Sequence, residues 1–175
     1  MEPQSTPRYV THRRVEFVDT DMAGIVHFTN FFRYMEQAEA EFFRVHGYSL
    51  ASPLVNGVAL GWPRVAASCS FKAPAYHNDV LEVRIFVRRR GFKSLTLQFQ
   101  FWRGTVLIAT GQIKTAYCRF RPGQPIESLE IPSEFDEMLG PYDPLAASSP
   151  ATDEMAGDHR SDEVGQRPNH ERRSE

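Results

Sequence analysis

The sequence predicts an α+β domain in which one long helix packs against one antiparallel sheet. Only one segment of the 175-residue chain shows the three- and four-residue apolar spacing of a long helix, whereas most of the remainder alternates apolar and polar side chains. Glycines separate several of the alternating segments at the spacing of hairpins. The chain is 41% hydrophobic and contains 13 phenylalanines, which is ample for a packed core or an apolar pocket.

The first two elements are a short strand and the long helix. Residues 14–18 predict the strand. The helix is predicted from Asn30 to His46, with Thr29 or Asn30 as its N-cap and Gly47 just past its C-terminal end. Its apolar stripe consists of Phe31, Met35, Ala38, Phe42 and Val45. Because the helix is apolar on most sides, we expect the sheet to wrap around it.

Four further strands follow the helix. Alternation predicts strands over residues 65–71, 81–87 and 95–101, and a longer strand over residues 105–120. Gly91 and the Arg103-Gly104 pair lie where hairpin turns are needed. The apolar residues of the longest strand change phase along its length, so a bulge is predicted near Gly111.

The composition of the chain changes near residue 145. Residues 145–175 contain no aromatic side chain and few large apolar ones, so they cannot bury enough surface to offset the entropy of ordering. We therefore predict one domain over residues 8–144 and a disordered tail over residues 145–175. An arm that binds a partner is the alternative for the tail.

Several classes of protein are disfavoured by composition. The net charge of −2 provides no broad basic surface for nucleic acid. Neither a signal peptide nor an apolar run long enough to span a membrane is present, and Cys69 and Cys118 suggest no disulfide framework. A cytoplasmic protein is the expectation. The six histidines have no metal-ligand spacing, so we expect neither a metal site nor a cofactor.

Residues 17–30, between the first strand and the helix, combine groups that carry chemistry. Asp19, Asp21, Gly24 and His27 lie within nine residues, just before the helix. A helix N-terminus presents unpaired N–H groups that stabilise an oxyanion, and a nearby carboxylate can act as a nucleophile or general base. From the residue types alone, a turn with a helix cap explains the same pattern.

Residues 16–44 resemble the signature of the 4-hydroxybenzoyl-CoA thioesterase-like hotdog family, which includes acyl-CoA thioesterases associated with the Tol-Pal system. The shared pattern is Asp-x-Asp-x-x-Gly-x-Val, then an aromatic residue or His, then an aromatic-rich helix; here it reads Asp19-Thr20-Asp21-Met22-Ala23-Gly24-Ile25-Val26-His27-Phe28. The likeness extends more weakly to about Tyr117. It implies a hotdog fold, about five antiparallel strands around one central helix, and a homodimer or homotetramer with active sites at the dimer interface.

The resemblance also assigns roles within the motif. Asp21 occupies the position of the catalytic carboxylate, and the backbone N–H of Phe28 that of the oxyanion donor. Asp19 is expected to shape the loop through hydrogen bonds to the backbone. His27 lines the acyl pocket, positions water or simply packs. Glu36, further along the helix, either faces the acyl pocket or belongs to a solvated helix face.

A basic run at a predicted hairpin turn is the candidate for binding coenzyme A. Its residues Arg89, Arg90, Lys93 and Ser94 match the phosphates of CoA in chemistry, and the Lys-Ser pair also fits the family pattern. A solubilising turn is the alternative.

Hydrolysis of acyl-CoA to the free acid and CoA is therefore the expected function. Whether Asp21 attacks the thioester or activates water stays open. Two alternatives remain: a hotdog hydratase or dehydratase, and a hotdog protein that binds acyl-CoA without turnover. The hydratase lacks support because its Asp-x-Asn-Pro-x-His arrangement is absent, and the retained Asp21 argues against a pure binder.

Overall fold

The computed structural model describes residues 6–143, which contain one long helix and two antiparallel sheets. The large sheet has the strand order β1-β4-β5-β6-β3, and the small one has the order β2-β7-β8. The elements are β1 (Tyr9–Arg14), α1 (Phe28–Val45), β2 (Ala59–Gly61), β3 (Arg64–Phe71), β4 (Val80–Arg90), β5 (Ser94–Arg103), β6 (Val106–Ala116), β7 (Cys118–Phe120), β8 (Glu127–Ser128) and α2 (Asp136–Leu139).

The helix α1 buries Phe31, Met35, Ala38 and Phe42 as predicted, but Val45, in its last turn, is exposed, and the helix begins two residues earlier than expected. His27 is its N-cap, in place of the predicted Thr29 or Asn30. Those two side chains are used otherwise: the Thr29 hydroxyl bonds the His27 ring, and the Asn30 amide donates to the carbonyl of Asp19. The C-terminal end matches the prediction, because Gly47 has φ +82° and closes a Schellman motif with Tyr48.

The large sheet wraps around α1, which confirms the predicted hotdog architecture. The inward residues of the central strands are almost completely buried; they include Leu81, Val83, Ile85, Leu95, Leu97, Phe99 and Phe101. They pack against the apolar stripe of α1 in one continuous core. A Cβ atom at Gly111 would meet the sulfur of Met35, so this glycine lets the helix approach the middle of β6 closely.

The first strand lies earlier in the chain than the predicted residues 14–18. Residues Tyr9–Arg14 form β1 and pair with β4 in register from Tyr9–Ile85 to Arg14–Val80. Pairing stops at Arg14 because β4 itself begins at Val80. The segment Phe17–Asp19 is instead a 3₁₀ turn that the Asp19 carboxylate caps by accepting the Glu16 N–H.

The predicted long strand over residues 105–120 divides, and its bulge lies elsewhere. Register with β5 shifts between Trp102–Leu107 and Phe101–Ala109, which makes Ile108 the extra residue. Gly111 sits in regular pairing, so the phase change has its origin at Ile108. The strand β6 ends at Ala116, and β7 joins the small sheet.

The prediction for residues 145–175 lies outside the described residues. Over residues 6–143, no helix is both long and apolar enough to cross a membrane.

Candidate active site

The two acidic residues of the motif belong to a small hairpin before α1, with Asp19 at its base and Asp21 at the start of its turn. An antiparallel bridge joins Thr20 to Val26, and the Asp21 N–H donates to the Ile25 carbonyl at 2.9 Å. Gly24 adopts φ +76°, a left-handed conformation that favours glycine, and its N–H donates to the Asp21 carbonyl. The Asp21 side chain is exposed, and its Oδ1 accepts the Ala23 N–H at 2.8 Å. The hairpin thus holds one carboxylate oxygen and presents the group to solvent.

Asp19 faces inward and ties the hairpin to the helix. Asp19 is 2% exposed, and its carboxylate accepts hydrogen bonds from the Glu16 N–H, the Tyr34 hydroxyl and the Arg33 guanidinium. Burial and the hydrogen bond to Asp19 raise the pKa of Tyr34. The Asp19 carbonyl accepts the His27 N–H and the Asn30 amide. The geometry agrees with the loop-shaping role expected of Asp19.

The hairpin ends at the N-terminus of α1, where Phe28 is the first helical residue. N–H groups of a first helical turn have no partner within the helix, and the Phe28 N–H is one of them. The His27 ring bonds the Thr29 hydroxyl at 2.7 Å and lies against the Phe28 ring, with centroids 4.7 Å apart. His27 is therefore the N-cap of α1 and packs on its first turn; its role toward a substrate stays a prediction.

Phe28, Phe32 and Glu36 follow one another at four-residue spacing along one side of α1, the side from which Glu36 contacts Arg64 of β3. The surface between these residues and the inward-facing Ala67, Cys69 and Phe71 of β3 is called the α1–β3 groove below. Directly paired residues share a sheet face, so Cys69 opposite Gly111 and Ala67 opposite Ile113 face the helix. The Phe28 and Phe71 side chains are exposed, whereas Phe32 and Cys69 are half-buried against the core.

A charged cluster occupies the other end of the α1–β3 groove. Arg64 places its Nη2 atom 2.8 Å from Glu39 Oε2 and 3.3 Å from Glu36 Oε1. The Glu36 side chain is 59% exposed, whereas Glu39 is completely buried. Burial raises the pKa of Glu39 to about 7, although the Arg64 charge opposes that rise.

Sequence reasoning had singled out Glu36 but missed Glu39 and Arg64. A signal for Glu39 exists, because it falls inside the apolar stripe between Met35 and Phe42. No comparable signal marks Arg64, whose orientation depends on pairing between distant strands.

The predicted CoA-binding residues lie together at the β4–β5 turn, but with different roles. Arg89 and Lys93 are exposed, and the Lys93 ammonium donates to the Ser128 carbonyl at 3.1 Å. The Arg90 side chain is only 7% exposed and bonds the Ile131 carbonyl and the Asp136 carboxylate. Arg90 thus anchors the C-terminal segment within the fold, and these contacts occupy its guanidinium. The Ser94 carbonyl accepts the Gly91 N–H and closes the turn.

The basic turn lies far from the Asp21 hairpin of the same chain. Ile25 and Val26 bridge to Tyr76 and Ala75, just before β4 begins at Val80, whereas the turn follows its last residue. The 11 residues of β4 span about 35 Å at roughly 3.3 Å per residue. A single chain therefore does not bring its own basic turn to its own Asp21. Among residues 6–143, no group of three potential metal ligands lies together.

Comparison with known proteins gives one family. A sequence model of the thioesterase-like superfamily matches residues 15–139. The chain is 26% identical over 131 residues to the 4-hydroxybenzoyl-CoA thioesterase of Pseudomonas sp. (strain CBS-3), covering 72% of this chain and 93% of that enzyme. It is 28% identical over 109 residues to the 1,4-dihydroxy-2-naphthoyl-CoA hydrolase of Prochlorococcus marinus (strain NATL1A), covering 59% of this chain and 73% of that enzyme. The solved structure of a gentisyl-coenzyme A thioesterase matches with TM-score 0.64 and 33% identity, over 75% of this chain and 99% of that one.

Proposed function

We propose that this chain, which belongs to the thioesterase-like superfamily, hydrolyses the thioester bond of acyl-CoA with Asp21 as its reacting carboxylate. One observation carries the assignment: a single hydrogen-bonded hairpin presents the Asp21 carboxylate and leads directly into the N-terminus of α1. An anionic group and an oxyanion donor therefore belong to the same rigid unit. Asp19 fixes that unit to the helix from inside.

The chemistry divides between the carboxylate and the helix. Asp21 either attacks the carbonyl carbon, so that the C–S bond breaks, CoA leaves as the thiolate and water then hydrolyses the resulting anhydride, or it removes a proton from a water that attacks the carbonyl carbon, after which the C–S bond breaks and CoA leaves as the thiolate. The Phe28 N–H stabilises the charge that develops on the carbonyl oxygen, assisted by the positive end of the helix dipole. The acyl group extends along the α1–β3 groove, where Phe28 and Phe32 supply apolar contacts.

A second copy of the chain completes the site in this proposal. The strand β3 is an edge of the large sheet, and most of its residues are exposed, with Val65 at 61%. An unpaired edge of this kind is covered when two copies pair around a two-fold axis. Antiparallel pairing of β3 with its copy places the partner's Arg64 end beside this chain's Phe71 end. The basic turn of each copy, with Arg89 and Lys93, then approaches the Asp21 of the other.

Hydroxylated aromatic acyl groups are the substrate class that we favour. The named substrates of three relatives, 4-hydroxybenzoyl-CoA, 1,4-dihydroxy-2-naphthoyl-CoA and gentisyl-CoA, are all of this kind. The groove adds support, because the exposed Glu36 carboxylate follows Phe28 and Phe32 at four-residue spacing on α1 and can accept a hydrogen bond from a substrate hydroxyl.

The direct test is release of free thiol from a panel of aromatic, short-chain and long-chain acyl-CoAs. Asp21→Asn is nearly isosteric and should lower kcat by roughly 10²–10⁴-fold, the usual contribution of a general base. Binding of a non-hydrolysable CoA thioether should survive, because Phe28 and the basic turn are unchanged. His27→Phe is the control and should lose less turnover. Turnover of Asp21→Asn close to the wild-type value would refute the assignment.

A mixing experiment tests whether the site is shared between copies. The Asp21→Asn chain is combined with a chain that carries Arg89→Ala and Lys93→Ala. If Asp21 and the basic turn come from different copies, each mixed dimer contains one intact site and one doubly defective site. Activity with wild-type KM should then reappear on mixing. If the activity of the mixture were only the average of the activities of the two variants, each chain would use its own basic turn.

A further inference from the structure

We infer that Arg64, held in place by the buried Glu39, is a specificity-determining residue that closes the α1–β3 groove with charge and excludes long aliphatic acyl chains. The inference rests on the proposed function, because it takes the acyl group to lie along α1. It concerns two residues outside the Asp-x-Asp-x-x-Gly-x-Val motif.

A β-bulge aims Arg64 into the groove. Ala67, Cys69 and Phe71 of β3 face the helix, so simple alternation would turn residue 64 to the outer face of the sheet. The register between β3 and β6 shifts between Arg64 and Ala66, which makes Val65 an extra residue. Arg64 is consequently paired with the buried Thr115 and faces inward.

Glu39 holds the guanidinium at that position. Its carboxylate is completely buried on the β3 side of α1, and its Oε2 accepts from Arg64 Nη2 at 2.8 Å. Within residues 6–143, Glu39 Oε1 and Thr115 Oγ1 are buried without a hydrogen-bond partner. An uncompensated buried carboxylate is costly, so the pairing with Arg64 is strongly favoured. Glu36 contacts the same guanidinium from the exposed side of the groove.

The cluster sets a limit on the length of an apolar substrate. From Phe28 to Glu36, α1 advances eight residues, or about 12 Å at 1.5 Å per residue. A compact aromatic acyl group fits within that distance, and polar substituents on it meet groups that can bond them. A longer alkyl chain would bring methylene groups against Arg64 and Glu36 and strip them of water without offering hydrogen bonds, which is unfavourable.

A double substitution tests the inference, with a matched control on the opposite side of the same helix. Arg64→Met with Glu39→Leu replaces the ion pair by apolar side chains of similar size, an exchange that proteins often tolerate. The control, Arg13→Met with Glu41→Leu, removes the ion pair between β1 and α1, at the far edge of the sheet. Both variants are compared with the wild type for kcat/KM and for dissociation constants of non-hydrolysable CoA thioethers, using a hexadecyl chain and a 4-hydroxyphenacyl group.

The test variant should improve the ratio for the hexadecyl over the aromatic ligand by about tenfold or more, since one methylene in an apolar pocket alters discrimination by roughly 10–200-fold. The control variant should leave that ratio within about threefold of the wild-type ratio. A change of that size is smaller than the roughly tenfold change that one methylene group produces. An unchanged ratio in the test variant, or equal changes in both, would overturn the inference. Should the test variant fail to fold, Arg64→Met with Glu39→Gln, which keeps an uncharged polar group at position 39, must shift the ratio in the same direction. A shift in binding without any hydrolysis by the wild type would refute the proposed function and leave this inference standing.

Discussion

Asn in place of Asp19 should damage the stability of the protein more than its chemistry. Asp19 is 2% exposed, and its carboxylate accepts hydrogen bonds from three donors: the Glu16 N–H, the Tyr34 hydroxyl and the Arg33 guanidinium. Asn keeps the size of the side chain but turns one acceptor oxygen into a donor NH₂. At least one of the three donors then faces another donor inside the fold.

The expected loss in free energy of unfolding is about 3 kcal/mol. A hydrogen bond to a charged group contributes roughly 1.5–3 kcal/mol, and a buried donor left without a partner costs roughly 1–3 kcal/mol. The sum is reduced because the Arg33 side chain is 48% exposed and can turn to water. For a domain of this size the loss corresponds to a Tm lower by roughly 6–12 °C.

Thermal unfolding and thiol release, measured on the same samples, check this prediction. Asp21→Asn provides the comparison, because the Asp21 side chain is exposed and Asn can still accept the Ala23 N–H. Asp21→Asn should have the Tm of the wild type and lose turnover. Asp19→Asn should have a lower Tm and, at a temperature where it is folded, should keep more turnover than Asp21→Asn. If Asp19→Asn melted with the wild type and were as inactive as Asp21→Asn, the catalytic role would belong to the first acidic position.

Three further predictions concern other parts of the fold. The folded-state pKa of Glu39 is raised from 4.5 to about 7, so the folded protein binds more protons than the unfolded chain between pH 4.5 and 7. The free energy of unfolding should therefore fall as pH rises through that range, by about 3 kcal/mol at most, relative to the Glu39→Gln variant. Urea unfolding from pH 4 to 8 checks this, and the same pH dependence in the wild type and in Glu39→Gln would contradict it. Gly111→Ala should destabilise by roughly 1–3 kcal/mol, and Met35→Ala should recover part of that loss in a double-mutant cycle. Arg89→Ala with Lys93→Ala should raise KM for acyl-CoA more than it lowers kcat, with little effect on a pantetheine thioester that lacks the nucleotide; equal losses on both substrates would remove the turn from the CoA site.

Local pattern was sufficient for most of the elements. The apolar stripe of α1, the alternation of the central strands and the turn at Gly104, with φ +57°, depend on neighbours in sequence and could be read directly. The motif around Asp21 was equally visible, because its turn, its glycine and the helix start follow one another in the chain. The strand predicted at residues 14–18 failed because a partner strand, and not alternation, decides where pairing stops.

The sequence by itself thus determined the helix, the sheet and the position of the Asp21 hairpin before a helix N-terminus. Tertiary structure alone decided that Arg90 bonds the C-terminal segment, that the Asp21 hairpin bridges to residues 75 and 76 at the opposite end of β4 from the basic turn, and that a bulge at Val65 turns Arg64 toward the buried Glu39. Each of these outcomes depends on the register between strands or on contacts between residues 25 or more positions apart. Periodicity specifies which face of an element is apolar, but the bulge, the strand ends and the partner across the sheet specify which polar group meets which.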